Sequence, residues 1–147
     1  VSGTTGLSDA QRQALAEAAA DIPVLWAANF SLGVAVLEEL VERAAAALAG
    51  WDCDIVETHH VHKQDAPSGT ALALGAAAER GGGMPRYASL RAGDIVGEHL
   101  VQLTGTGERV ELVHRATSRD VFARGALHAA SRLRGRQPGV WRLRDLL

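Results

Sequence analysis

The chain of 147 residues carries one cysteine, Cys53, so no internal disulfide can form. Cys53 falls inside a run of strand-forming residues, where a free thiol acts by default as a small buried hydrophobe. No apolar run approaches the ~18 residues that a membrane-spanning helix requires. No basic segment follows Val1, and a secretory leader is therefore not expected. Charge of one sign is also scarce: 15 Lys and Arg stand against 17 Asp and Glu, a net of −2. Without a global basic field, neither nucleic acid nor a membrane surface is an expected partner. Arg132, Arg134 and Arg136 form a local basic cluster that reads as the solvated end of a helix. Aromatic residues are few, and Trp26, Trp51 and Trp141 are expected to serve packing. What remains is an ordinary soluble composition in a chain long enough to bury a core of its own. A cytoplasmic location fits these absences.

In chain order, Val1-Ser2-Gly3-Thr4-Thr5-Gly6 reads as the end of a strand entering a helix over 10–20, capped by Ser8 or Asp9. Residues 22–28 read as a buried strand, and Asn29-Phe30-Ser31 as a second strand-to-helix corner. The helix over 32–49 is apolar at Leu32, Val36, Leu37, Leu40, Val41, Ala44 and Leu48, with Glu38, Glu39, Glu42 and Arg43 mostly opposite, and Gly50 ends it. This alternation is that of a parallel α/β sheet. Ligands of such sheets meet the carboxyl ends of strands, where Gly3-Thr4-Thr5 and Ala27-Ala28-Asn29-Phe30 fall. A strand over 53–61 and an alanine-rich helix over 69–80 follow, and the small residues let that helix lie flat on the sheet. Strands over 86–92, 97–104 and 109–116 complete it, the last two joined by Gly105-Thr106-Gly107. Val101, Leu103, Val110 and Leu112 alternate with polar neighbours, so the hairpin has one wet face. A last helix over 120–134 is broken by Pro138-Gly139 before residues 140–147.

The richest stretch is residues 57–70, E-T-H-H-V-H-K-Q-D-A-P-S-G-T, which leads from a strand into a helix. Ser68 and Thr70 are capping types, and Gly69 lets backbone amides come close to a ligand. A helix N-terminus there offers a partial positive charge to a carboxylate or phosphate. His59, His60, His62 and Lys63 add charge and titratable protons just upstream. Two plainer readings stand beside an active site: a simple helix cap, and a metal site built from the three histidines. Against metal, a strand puts His60 and His62 on one face and His59 on the other, and no carboxylate or cysteine stands at a familiar ligand spacing. The combination points to a site for a small acidic molecule with no metal.

Read as E-x-H-H-x-H-K-x-D-A-P-S-G-T, residues 57–70 closely resemble the signature of the dihydrodipicolinate reductases. Residues 91–99 and 111–119 are similar to that family too, and the resemblance extends over essentially the whole chain. It implies an α/β fold in which the last strands and helices of a Rossmann-type dinucleotide-binding domain join an α+β substrate-binding domain with a mixed sheet. Residues 1–30 would be the dinucleotide-domain remnant, 31–118 the substrate domain, and 119–147 a helix and tail returning to the first. The implied activity is the reduction of a cyclic dicarboxylate imine by NADH or NADPH in lysine (diaminopimelate) biosynthesis. By the same resemblance His59 is a proton donor or acceptor, Lys63 the proton donor, and His60 with the Gly69 and Thr70 amides the carboxylate grip. Gly3, Thr4, Thr5, Ala27, Ala28, Asn29 and Phe30 would line the nicotinamide and ribose, while Glu57, Asp65 and His62 would support the site. A homo-oligomer, a tetramer by resemblance, is implied as well. The Gly-rich turn that holds a pyrophosphate is not among these residues, so the chain is expected to be part of a longer enzyme and inactive alone. The alternative is a dicarboxylate-binding domain without catalysis.

Overall fold

At residue 8 the first helix begins with a reciprocal cap. Ser8 accepts the Gln11 amide, and the Gln11 side chain returns to the Ser8 amide. The computed structural model describes residues 1–147. Its elements are α1 (Asp9–Ala18), β1 (Pro23–Leu25), α2 (Leu32–Ala47), β2 (Asp52–His59), α3 (Gly69–Arg80), β3 (Pro85–Arg91), β4 (Gly97–Gly105), β5 (Glu108–Ala116), α4 (Asp120–Leu133) and β6 (Gly139–Trp141), with a final 3-10 turn at Leu143–Leu146. They divide into two compact units, one of Val1–Ala35 with Asp120–Leu147, the other of Val36–Arg119.

In the first unit β1 and β6 pair in parallel, Pro23 opposite Gly139 and Leu25 opposite Trp141. Proline opens β1, where no ladder donor is lost from the strand's interior. The expected strand over 22–28 is thus only three residues long, and the opening stretch is no strand at all. Ser2 alone pairs there, donating to Leu25 O at 2.8 Å and accepting the Ala27 amide at 3.1 Å. The sequence pattern also missed β6, because three residues behind Pro138 carry too little periodicity. Its first residue, Gly139, has φ 145°, a value that favours glycine. Leu25, Phe30, Ala35, Ala129, Leu133, Leu143 and Leu146 form this unit's core. Gly125 lets α4 press against the backbone: a Cβ there would stand 1.7 Å from Phe30 O.

The second unit is a four-stranded mixed sheet in the order β3-β2-β4-β5, parallel between β2 and β3 and antiparallel elsewhere. Strand periodicity puts Cys53, Ile55, Val101 and Leu103 on one face. They pack on Leu37, Val41 and Ala45 of α2 and on Ala71, Leu74, Ala77 and Ala78 of α3. Each fully buried Leu, Ile or Val stabilises the unit by about 1.5–3 kcal/mol. The small face of α3 does bring it close, since a Cβ on Gly75 would fall 1.7 Å from Tyr87 Oη. Burial holds Cys53 as a thiol by raising its pKa.

Two expectations fail here. Val36 and Leu40 were placed on the core face of α2, yet they are 44% and 45% exposed. The buried stripe runs instead through Leu37, Val41, Ala45 and the partly buried Ala44 and Leu48, which keeps the 3.6-residue repeat but lies to one side of the broader apolar band. Strand β2 stops at His59, not at residue 61, so His60 and His62 do not share a strand face. The chain turns where the ladder runs out: Val61 N bonds Gly93 O at 3.1 Å, and Lys63 N bonds His60 O at 3.1 Å.

Candidate active site

The core face of the second sheet changes character at the carboxyl end of β2. Cross-strand register puts Glu57 between Ser89 of β3 and His99 of β4, with His114 of β5 beyond His99. Beside this polar row lie Arg91, paired with His59, and Gly97, the first residue of β4.

Glu57 is 1% exposed, and both oxygens of its carboxylate are hydrogen-bonded. Oε1 accepts Arg91 Nη2 at 2.9 Å and the Ser68 amide at 3.3 Å. Oε2 accepts Arg91 Nη1 at 3.0 Å and is bonded to His59 Nδ1. Burial alone would raise the carboxyl pKa, but the bonds from Arg91, Ser89 and His59 outweigh it and hold it at about 2. An ionised carboxylate only accepts, so Nδ1 of His59 carries the hydrogen and Nε2 is left for another partner. Burial lowers the His59 pKa. The Glu57 carboxylate opposes that shift, while Lys63 and Arg91 add to it.

Arg91 also reaches the loop after His59, donating to Lys63 O at 3.3 Å and Asp65 O at 2.6 Å. Lys63 turns its ammonium to the Asp65 carboxylate, 2.8 Å away, and that contact keeps the Asp65 pKa below its usual value. The loop ends at Ser68, the N-cap of α3, whose hydroxyl accepts the Ala71 amide at 3.1 Å and meets His99 Nε2 at 3.1 Å. His99 is buried with no partner at Nδ1; burial, and then the nearby His59, lower its pKa to about 4. Its ring meets that of His59 edge-on at 5.2 Å.

His59, Lys63, Gly69 and Thr70 therefore lie along one strand end, loop and helix start of the second unit. His60 is half-buried, its ring 6.3 Å from that of exposed His62. No group of three or more His, Cys, Asp or Glu side chains is placed to hold a metal ion. Gly3, Thr4, Thr5, Ala27, Ala28, Asn29 and Phe30 belong to the first unit. The Ser2–Trp26 pairing sets those two segments side by side, Trp26 donates to Thr4 O at 2.6 Å, and the Asn29 side chain accepts the Ser31 amide at 2.7 Å. Sequence reasoning gave no role to Arg91, Gly97, His99 or His114. A signal for His99 existed: it occupies an inward position of β4, in the same alternation as Val101 and Leu103.

Comparison with known proteins bears on this geometry. The family model for the C-terminus of dihydrodipicolinate reductase matches residues 33–147, and that for its N-terminus matches residues 1–30. The chain belongs to the dihydrodipicolinate reductase family. Among family members, a 4-hydroxy-tetrahydrodipicolinate reductase of Stenotrophomonas maltophilia is 78% identical over all 147 residues, which make up 62% of that protein. Those of Xanthomonas campestris and Xylella fastidiosa are 73% and 69% identical, with the same shares covered. The chain thus spans 62% of the length of these curated relatives. A solved, dipicolinate-bound dihydrodipicolinate reductase from Paenisporosarcina sp. TG-14 has the same fold, with a TM-score of 0.76 at 22% identity over 99% of this chain and 63% of that one. The fold is accordingly the family's, a Rossmann-type part with an α+β part. No helix is long and apolar enough to cross a membrane.

Proposed function

We propose that this chain carries the substrate site and part of the cofactor site of an NAD(P)H-dependent reductase. The reaction is reduction of 4-hydroxy-tetrahydrodipicolinate, or dihydrodipicolinate, to tetrahydrodipicolinate in lysine biosynthesis. The observation that carries this reading is His59, whose Nδ1 is held by buried Glu57 and whose next neighbours in the chain are a lysine loop and a capped helix start. The dipicolinate found in the Paenisporosarcina relative is a planar dicarboxylate of the kind such a site suits.

The reduction needs a proton delivered to the substrate and two carboxylates neutralised. His59 acts as proton donor or acceptor through Nε2, and Lys63 donates a proton. His60 and the first turn of α3, at Gly69 and Thr70, hold a substrate carboxylate by charge and by the helix's partial positive end. A substrate carboxylate competing with Asp65 for Lys63 would draw the ammonium toward the ring. When bound, the reduced nicotinamide, of NADH or NADPH, supplies the hydride. Its nicotinamide end fits the exposed Gly3-Thr4-Thr5 segment and the adjoining residues 27–30. Gly3 keeps that surface flat, because a Cβ there would already press on the Phe30 ring at 3.2 Å.

Residues 1–30 and 119–147 are assigned to the dinucleotide-binding part and 31–118 to the substrate domain. The sheet face turned away from α2 and α3 has an apolar row of Val56, Ala88, Leu100 and Val113, with Leu90 in the next row. Leu90 and Val113 are 56% and 43% exposed, and further copies of the chain are the assigned cover, as a homotetramer in the cytoplasm. The test is NADH and NADPH oxidation by the purified full-length protein given 4-hydroxy-tetrahydrodipicolinate. Turnover inhibited competitively by dipicolinate is expected. Dipicolinate binding without turnover would establish the non-catalytic alternative.

A further inference from the structure

Glu57 is a charged side chain buried where an unpaired carboxylate would take up a proton. Its two oxygens accept bonds from Arg91, His59 and the Ser68 amide, so β3, β2 and the start of α3 all meet at one group. A structural ion pair needs only Arg91. The bond to His59 Nδ1 is additional, and it engages the ring nitrogen other than Nε2. Arg91 is likewise more than a counter-charge, since the same guanidinium donates to the Lys63 and Asp65 carbonyls.

We propose that Glu57 is a positioning residue for proton transfer: it fixes His59 in the Nδ1–H tautomer with Nε2 toward the substrate, and Arg91 ties this pair to the loop that carries Lys63. The inference rests on the proposed role of His59 and deepens it. Without the carboxylate the imidazole has no partner that distinguishes its two nitrogens, and a 180° flip would exchange a nitrogen for a carbon at the reacting position. The groups around His59 are Glu57 on β2, Arg91 on β3, His99 on β4 with His114 on β5 behind it, Lys63 and Asp65 on the loop, and Ser68 at α3. Glu57 is the one of these that pulls the His59 pKa upward.

The experiment uses the full-length enzyme with 4-hydroxy-tetrahydrodipicolinate and the variants Glu57→Gln, His59→Ala and the two combined. Glu57→Gln keeps the shape and removes the charge. Its kcat is expected to fall at least about tenfold, less than or up to the roughly 10²–10⁴-fold that the acid–base group itself contributes, with KM changed much less. The limb of the pH profile set by His59 moves to lower pH, because the upward pull is gone. The double variant is expected to be no slower than His59→Ala alone. Additive losses, or an unmoved limb, would overturn the inference while leaving His59 in place. An undiminished kcat in His59→Ala would overturn the reading of His59 itself, and the inference with it. Arg91→Lys, which keeps the charge but not the two-pronged contact, is expected to lower kcat in the same direction. If Glu57→Gln does not fold, ¹⁵N NMR of the unmodified enzyme decides: the Nδ1–H tautomer at His59 supports the proposal and the Nε2–H tautomer overturns it.

Discussion

Gly97 lies against the imidazole of His59. A Cβ built on Gly97 would stand 3.0 Å from Nε2 and 3.3 Å from Cδ2, while the nearest atom of His99 would be 3.7 Å away. The backbone of Gly97 is not in the left-handed region, so alanine is admitted there without backbone strain. The methyl group must instead be accommodated by the ring, and the ring is held from behind by Glu57. Gly97→Ala is therefore expected to displace Nε2 by a few tenths of an ångström. Stability should change by about 1 kcal/mol or less, but kcat should fall on the order of tenfold, short of the 10²-fold that a 1 Å misplacement can cost. Steady-state kinetics beside a urea melt of the same variant checks this. A variant with unchanged kcat would show that the ring moves without consequence.

A second expectation concerns acid stability. His99 titrates ordinarily near 6.5 and in the folded protein near 4, so below pH 6.5 the unfolded chain binds a proton that the folded chain refuses. Stability then falls as pH drops from 6.5 to about 4, by on the order of 3 kcal/mol for this group, and the contribution is level below that. His59 and His114, shifted the same way, steepen the fall. Glu57 acts lower: its contribution is complete above its ordinary pKa of 4.5 and is lost as pH falls through about 2. Urea unfolding of wild type and His99→Gln at pH 7.5, 5.5 and 4.5 separates these groups, since the variant lacks the His99 part of the slope. Equal slopes for the two proteins would refute it.

The sequence made the elements legible where the pattern was long and regular. Helix α3 has the bounds 69–80 that its glycines and alanines suggested, and the pairing of Val101 with Leu112 and of Leu103 with Val110 follows from the period-2 alternation around the Thr106-Gly107 turn. What stayed hidden was long-range. The three-residue β6 needs β1 to exist, and no local signal announces it. Arg91 looks like any strand-end arginine until parallel pairing places it opposite His59, 32 positions earlier in the chain. The motif over 57–70 gathered most of the proposed site because it is contiguous. Glu57 meets His99 only through the β2–β4 register, which periodicity alone does not fix between strands that are not consecutive in the chain, and Ser68 joins them from the cap of α3.

The final prediction separates chemistry from binding along that contiguous stretch. In the full-length enzyme His59 and Lys63 are assigned to proton transfer, which matters in the transition state, whereas His60 and Thr70 are assigned to holding substrate charge in both states. Loss of a proton-transfer group costs about 10²–10⁴-fold in rate, so His59→Ala and Lys63→Ala should lower kcat strongly with smaller changes in KM. Loss of a grip common to ground and transition states raises KM and leaves kcat nearer normal, the pattern expected for His60→Ala and Thr70→Val. Lys63 is the sharpest case, because its ammonium pairs with Asp65 at 2.8 Å and a dianionic substrate would compete for it. Asp65→Asn frees that ammonium without removing it, so KM should fall or stay level in this variant while Lys63→Ala loses kcat. Kinetics of all five variants at saturating cofactor decides the assignment. If Lys63→Ala keeps kcat within a few fold and raises only KM, Lys63 belongs to the carboxylate grip and His59 alone moves the proton.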